Sequence, residues 1–175
     1  MIRQSIDIKR KNDDVRHLYE TAFPEEEQIE WDDLIRLTSE LPLEFSIYRE
    51  EDGTLLGFTI MLERKPISWF WYFAVGEYKR GSGIGQSILD DLAQRYAGAT
   101  YFMDIESPEQ EDAPNTEQRR RRTNFYMRNG FRRVDITRSY GGIDYAYLVK
   151  GEQPLTQEYM EELRKELWKH WEPTD

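Results

Sequence analysis

The sequence predicts an α/β fold: a central sheet of mixed but mostly antiparallel strands, flanked by helices, with an extra helix at the C-terminus. Three observations predict it. Apolar stretches sit on either side of short glycine turns, at Asp52-Gly53 and Gly141-Gly142, which is hairpin chemistry. Between the hairpins lie stretches with helical periodicity. One run, residues 69–75, is apolar on both faces and reads as a buried central strand. Hairpins make antiparallel neighbours and helical crossovers change strand direction, so their alternation gives a mixed sheet.

Taken in order, Ile2, Ile6 and Ile8 read as an opening strand. Asn12-Asp13-Asp14 caps a helix that carries Val15, Leu18, Tyr19, Ala22 and Phe23 and ends at Pro24. A second helical stretch opens at Glu25 and runs through Leu34 and Ile35 to about Glu40. Residues 45–48 and 55–62 form the first hairpin, and Pro66 separates it from the buried run. A helix follows Gly85, with Ile84, Ile88, Leu89, Leu92, Ala93 and Tyr96 on one face. Residues 100–105 are a strand, and the proline- and acid-containing segment 107–117 is a loop. Asn115 and Gln118 fit a capping box for a helix that Gly130 ends. Residues 131–139 and 143–150 form the second hairpin. The last helix begins near Thr156 and presents Met160, Leu163, Leu167, Trp168 and Trp171.

Composition removes several function classes. The chain has 175 residues, no cysteine and two histidines, His17 and His170. A thiol nucleophile, a zinc–thiolate site and a disulfide framework are therefore out, and nothing in the motif set calls for a metal. The formal charge of -10 repels nucleic acid and anionic membranes. The N-terminal residues lack the apolar run of a signal peptide, and no apolar run is long enough to span a membrane. The expected compartment is the cytoplasm.

The chemistry sits in Lys79-Arg80-Gly81-Ser82-Gly83-Ile84-Gly85, between the buried strand and a helix. Glycines let backbone come close to a ligand, and the unpaired N–H groups of a helix start suit an anion such as phosphate. Tight connections are also rich in glycine. A dinucleotide fingerprint would need glycine at position 86, where Gln86 stands, and the Gly-Lys-Ser/Thr ending of a Walker loop is absent.

Arg80-Gly81-Ser82-Gly83-Ile84-Gly85 resembles the Arg/Gln-x-x-Gly-x-Gly/Ala pyrophosphate loop of the GCN5-related N-acetyltransferases, the GNAT family. Phe73-Ala74-Val75 looks like the end of that family's fourth strand. Asn124-Phe125-Tyr126-Met127-Arg128-Asn129-Gly130-Phe131 looks like its fourth helix, with the Tyr-x-x-x-Gly-Phe ending. The resemblance covers residues 1–150, leaving 151–175 as a helical extension.

That resemblance implies an enzyme moving an acetyl group from acetyl-CoA to a primary amine by direct attack in a ternary complex. Main-chain N–H groups from Arg80 through Gln86, including Gly81, Ser82, Gly83 and Gly85, would hold the pyrophosphate. Phe73, Ala74 and Val75 would pair with the pantetheine arm. Tyr126 would protonate the departing thiolate, since a phenol with an ordinary pKa near 10 keeps its proton at neutral pH. Family members often carry asparagine seven residues before this tyrosine; here it is Arg119.

The amine must lose a proton before attack, and a carboxylate, directly or through water, commonly takes it. Asp104 and Glu106 alternate on one strand and share a face, and Glu106, nearer the strand end, is the candidate. Its alternatives are a helix cap, a surface charge, or a salt bridge to the arginine helix. Seven arginines fall within residues 119–133. On so acidic a chain they read as ion pairs and solvated faces. The expected acceptor is a small-molecule or peptide amine, with no nucleic acid and no membrane. The C-terminal helix either caps the chain's own core or buries the surface of a second copy, which would make a homodimer. A catalytically silent acetyl-CoA-binding module is the alternative to an enzyme, and a tyrosine placed as an acid argues against it.

Overall fold

The computed structural model of the chain describes residues 1–171. They form two units, Met1 to Ala99 and Thr100 onward, each built on its own antiparallel strands.

In the first unit β1 (Ile2–Ser5), β2 (Leu43–Arg49), β3 (Leu55–Leu62) and β4 (Ile67–Val75) lie side by side in that order. All three pairings are antiparallel. The β2–β3 turn uses Gly53 at φ +90°, and Asp52 Oδ1 accepts the Thr54 N–H at 2.9 Å. β4 carries one extra residue against β3. Ile60 faces Tyr72 and Met61 faces Phe70, so Trp71 is bulged.

Helices α1 (Asp13–Ala22) and α2 (Trp31–Glu40) bury Val15, Leu18, Tyr19, Trp31 and Leu34 against Phe45, Ile47, Phe58, Ile60, Tyr72 and Ala74. Helix α3 (Ile84–Arg95) buries Ile88 with Tyr48 and Leu56, and Phe73, Val75 and Ile84 pack against them. Neighbouring residues of β4 thus go to different clusters, as strand alternation requires. This is why the run is apolar throughout. Each large apolar side chain so buried is worth about 1.5–3 kcal/mol. A polar bolt secures α3: the Tyr48 hydroxyl donates to Asp91 Oδ2 at 2.8 Å and accepts from Arg95 Nη2 at 2.9 Å.

The expected helix from Glu25 to Glu40 is split. Residues Glu25–Glu27 make one 3-10 turn and α2 starts only at Trp31. Two buried tyrosines explain the break. Tyr19 Oη accepts the Ile29 N–H at 2.7 Å and donates to the Ile29 carbonyl at 3.0 Å, while the Tyr72 hydroxyl donates to the Glu27 carbonyl at 2.6 Å. Those backbone groups are no longer free for a helical ladder. The Asn12 side chain does not cap α1 either. Its Nδ2 donates backward to the carbonyls of Asp7 and Arg10, each at 3.0 Å.

In the second unit β7 (Ile143–Lys150) lies between β5 (Thr100–Glu106) and β6 (Arg132–Tyr140), antiparallel to both. Central β7 is buried along most of its length and β6 is largely exposed. Helix α4 (Thr116–Arg128) buries Arg119, Thr123 and Tyr126. Helix α5 (Gln157–Trp171) buries Met160, Leu163 and Leu167. Trp168 falls one residue off that stripe and is 66% exposed, so of the two readings it does not serve the one in which the helix caps the chain's own core. Among the described residues no helix is long and apolar enough to cross a membrane.

Candidate functional site

The glycine-rich loop is where the sequence placed it. After β4, Gly76 N–H bonds the Leu56 carbonyl at 2.8 Å, and a 3-10 turn over Glu77–Lys79 leads out. Gly81 and Gly83 then take φ of +77° and +85°, a left-handed conformation that favours glycine over residues with a β-carbon. An added β-carbon at either would meet no atom of the chain within 4 Å, so the space beside both glycines is open. Gly83 is the N-cap of α3, and its carbonyl accepts from the Ser87 N–H at 3.1 Å.

The charge pattern around the loop suits an anion. The first turn of α3 has no acidic residue, so no side chain of that turn competes with an anion for the positive end of the helix dipole. Arg80 is exposed. Lys79 is engaged: its Nζ lies 2.6 Å from Glu50 Oε1, so its charge is already partly offset. The loop also spends two of its own N–H groups internally, Arg80 to the Glu77 carbonyl at 3.4 Å and Ser82 to the Lys79 carbonyl at 3.3 Å. The Gln86 side chain donates to Asp90 Oδ1 at 2.9 Å. Of the strand residues, Ala74 is buried and Phe73 and Val75 are half-buried.

The second unit gathers Glu106, Arg119, Arg122 and Tyr126. Glu106 ends β5, and its Oε2 lies 2.5 Å from Arg119 Nη2 while its Oε1 lies 3.5 Å from Arg122 Nη1. Of the readings left open for Glu106, the salt bridge to the arginine helix is present. Arg119 also donates through Nη1 to the Ser107 carbonyl at 3.2 Å and to Gln110 Oε1 at 2.9 Å. Gln110 passes the connection on, accepting the Asp144 N–H at 3.0 Å and donating to the Gly142 carbonyl at 3.0 Å. The loop after β5 is thereby tied to the β6–β7 turn. Three other arginines pair outward, Arg120 and Arg121 with Glu117, each at 3.3 Å, and Arg133 with Glu109; Arg132 donates to the Gly151 and Gln153 carbonyls.

Tyr126 is 6% exposed. Its ring packs edge-on to Phe131 at 5.7 Å and tilted to Phe125 at 5.4 Å. Burial pushes its phenol up to about 12, with the positive charge of Arg122 pulling the other way. The hydroxyl is therefore protonated at neutral pH, as an acid must be.

Asn115 was expected to cap α4. Its side chain makes no capping bond, and its Oδ1 is buried without a hydrogen-bond partner among the described residues. With φ -126° and ψ 37° it lacks the extended backbone that aims a cap at the helix N–H groups. Sequence reasoning missed the burial of Arg119. A signal existed: Arg119, Thr123 and Tyr126 follow steps of four and three, so a charged residue stands on the helix stripe that faces inward. His17 is exposed and His170 half-buried.

Residues 44–133, just over half of the chain, match the family model described as the acetyltransferase (GNAT) domain. The protein is an acyltransferase that uses acetyl-CoA as its acetyl donor. It belongs to the GNAT acetyltransferase family. Among solved structures it resembles a GNAT-family protein from Bacteroides thetaiotaomicron at 23% identity and TM-score 0.73, covering 95% of this chain and 96% of that one. It also resembles an aminoglycoside 6'-N-acetyltransferase complexed with coenzyme A, at 16% identity and TM-score 0.67, over 90% of this chain and 100% of that one. A Bacillus subtilis acetyltransferase in complex with CoA matches at 18% identity and TM-score 0.57, over 86% and 98%. At such identities the likeness is one of fold, and the fold is the mostly antiparallel α/β architecture expected. No curated protein sequence matches the chain.

Proposed function

We propose that this enzyme transfers acetyl from acetyl-CoA directly to a primary amine of a small molecule or peptide, in a ternary complex and in the cytoplasm. The observation that carries the reading is the loop before α3: two left-handed glycines beside open space and a helix start free of acidic residues. The pyrophosphate would sit on the N–H groups of Gly81, Gly83, Ile84, Gly85 and Gln86, with Arg80 as an accessory cation. Ser82 would join if its weak internal bond yields. Charge-assisted hydrogen bonds are worth about 1.5–3 kcal/mol each, so backbone donors suffice on an acidic chain. Phe73, Ala74 and Val75 are assigned to the pantetheine arm through their main chain.

In this reading Tyr126 gives its hydroxyl proton to the leaving sulfur, and Glu106 serves the amine, receiving its proton through water. An amine acceptor also fits the first unit. A cavity of about 560 Å³ between α1 and α2 is lined by Glu20, Glu25 and Glu30 with Tyr19 and Trp31, a surface that favours an ammonium group over an anion. Two measurements test the reading. Calorimetric titration should show acetyl-CoA binding at least tenfold weaker in Gly83→Val. Tyr126→Phe should keep acetyl-CoA affinity and lose about 10- to 100-fold in kcat, the low end for a general acid because a thiolate leaves readily. Unchanged affinity in the glycine variant removes the loop from the site. A parental rate in Tyr126→Phe removes the acid. Mass spectrometry of an amine and peptide panel incubated with acetyl-CoA identifies the acceptor.

A further inference from the structure

A buried phenol is a reluctant acid. Donating its proton leaves a phenolate in a site that burial has made unfavourable for negative charge, so the step needs a cation nearby. One stands on the same helix. Arg122 precedes Tyr126 by four residues, which puts the two side chains on one face of α4, about 5–6 Å apart at their β-carbons. The Arg122 side chain is 37% exposed, yet it is directed inward by Glu106, whose Oε1 lies 3.5 Å from Nη1. Glu106 cannot neutralise it fully. The same carboxylate holds Arg119 at 2.5 Å through its other oxygen. Two guanidinium groups share this carboxylate, and Arg122 is the one a single helical turn from Tyr126.

We propose that Arg122 is a positioning residue of the transfer reaction: anchored by Glu106, its guanidinium stabilises the Tyr126 phenolate that forms as the coenzyme thiol leaves. The inference rests on the reading of Tyr126 as the acid. The amine nitrogen forms the new C–N bond and the C–S bond breaks, its electron pair leaving on sulfur. The sulfur takes the Tyr126 proton. An acceptor that arrives as an ammonium gives its first proton toward Glu106 before attack; its second, released once the C–N bond has formed, returns through water to the phenolate held against Arg122. The direction in which Arg122 moves the phenol agrees, since it is the charge that offsets burial there. Arg119 is unsuited to the task, being 4% exposed and spent on Glu106, Ser107 and Gln110.

A double-mutant cycle on the full chain tests this with acetyl-CoA and an acceptor that turns over. Arg122→Gln should lower kcat about tenfold with little change in the KM for acetyl-CoA, and Arg122→Lys should restore most of the loss, because it keeps the charge. In a Tyr126→Phe background Arg122→Gln should add almost nothing, since the hydroxyl through which it acts is gone. Thermal melting of each variant shows that the fold is kept, and if Arg122→Gln fails to fold the Lys and Met variants complete the comparison. An equal loss from Arg122→Gln in both backgrounds, or no loss in either while Tyr126→Phe is slow, overturns the role of Arg122 and leaves the acid standing. A Tyr126→Phe enzyme as fast as the parent overturns the acid itself, and this inference with it.

Discussion

Glu106 Oε2 and Arg119 Nη2 meet at 2.5 Å with the two side chains 10% and 4% exposed. An ion pair this deep is sensitive to removal of one member, because the survivor is left as an uncompensated charge. Arg119→Met should destabilise the protein by about 3 kcal/mol, the low end of the usual cost, since Arg122 still faces the carboxylate. Glu106→Gln combined with Arg119→Met should cost less than Arg119→Met alone. Urea unfolding followed by tryptophan fluorescence checks both, and additive losses would contradict the pairing.

Glu106→Gln by itself separates two roles for that carboxylate. If Glu106 takes the amine proton through water, the variant should flatten the rise of rate with pH below the pKa of the acceptor. If it acts only by anchoring Arg122, the pH profile should keep its shape and the rate should fall by the amount Arg122→Gln loses. A pH–rate series with one acceptor distinguishes them.

Two glycines of the first unit should respond in opposite ways. Gly83 has φ +85° and open space around a β-carbon, so Gly83→Ala should cost only the backbone strain of about 1–2 kcal/mol while weakening acetyl-CoA binding. At Gly57 a β-carbon would lie 2.4 Å from the Ala74 carbonyl oxygen and 3.0 Å from Ile88 Cδ1. Gly57→Ala must push β4 or α3 away, for about 1–3 kcal/mol or more of overpacking, and should lower the Tm. Paired calorimetry of unfolding and of binding reads out the difference.

Stability should fall on acidification from about pH 4. The Asp14 carboxyl is held below its ordinary 3.8 chiefly by its hydrogen bond to Arg49, 2.6 Å away. The Glu109 carboxyl is held below its ordinary 4.5 chiefly by its hydrogen bond to Arg133. A carboxylate depressed in the folded state contributes stability that is present above the unfolded value and lost as pH drops through the folded one. Both groups are largely exposed, so each contribution is small and screened by salt. The urea midpoint should be flat near neutrality and decline below pH 4, less steeply for Asp14→Asn.

Much of the fold was legible because its signals are local. Residues 55–62 and 143–150 read as strands and are strands, since alternation and flanking glycine turns mark them. The glycine loop was legible for the same reason: a left-handed turn at Gly81 and Gly83 needs glycine whatever surrounds it. The α2 boundary was not. Three consecutive glutamates suit a helix start, but the buried hydroxyls of Tyr19 and Tyr72 take the backbone at Glu27 and Ile29. One of those tyrosines is 45 residues away in sequence.

The candidate site divides along the same line. By itself the sequence determined which residue types stand ready: a glycine loop opening a helix, a tyrosine on a helix ending in Gly-Phe, and an arginine run on an acidic chain. Those depend on neighbours within a turn or two, where spacing dictates geometry. Only the tertiary structure decided that Arg119 turns inward to Glu106 while Arg120 and Arg121 stay outside with Glu117, that Lys79 is taken by Glu50, and that β4 bulges at Trp71. Each of these is settled by which strand, loop or carboxylate arrives from a distant part of the chain. A charged side chain on an amphipathic helix has no burial of its own until packing supplies the opposite charge that makes burial tolerable.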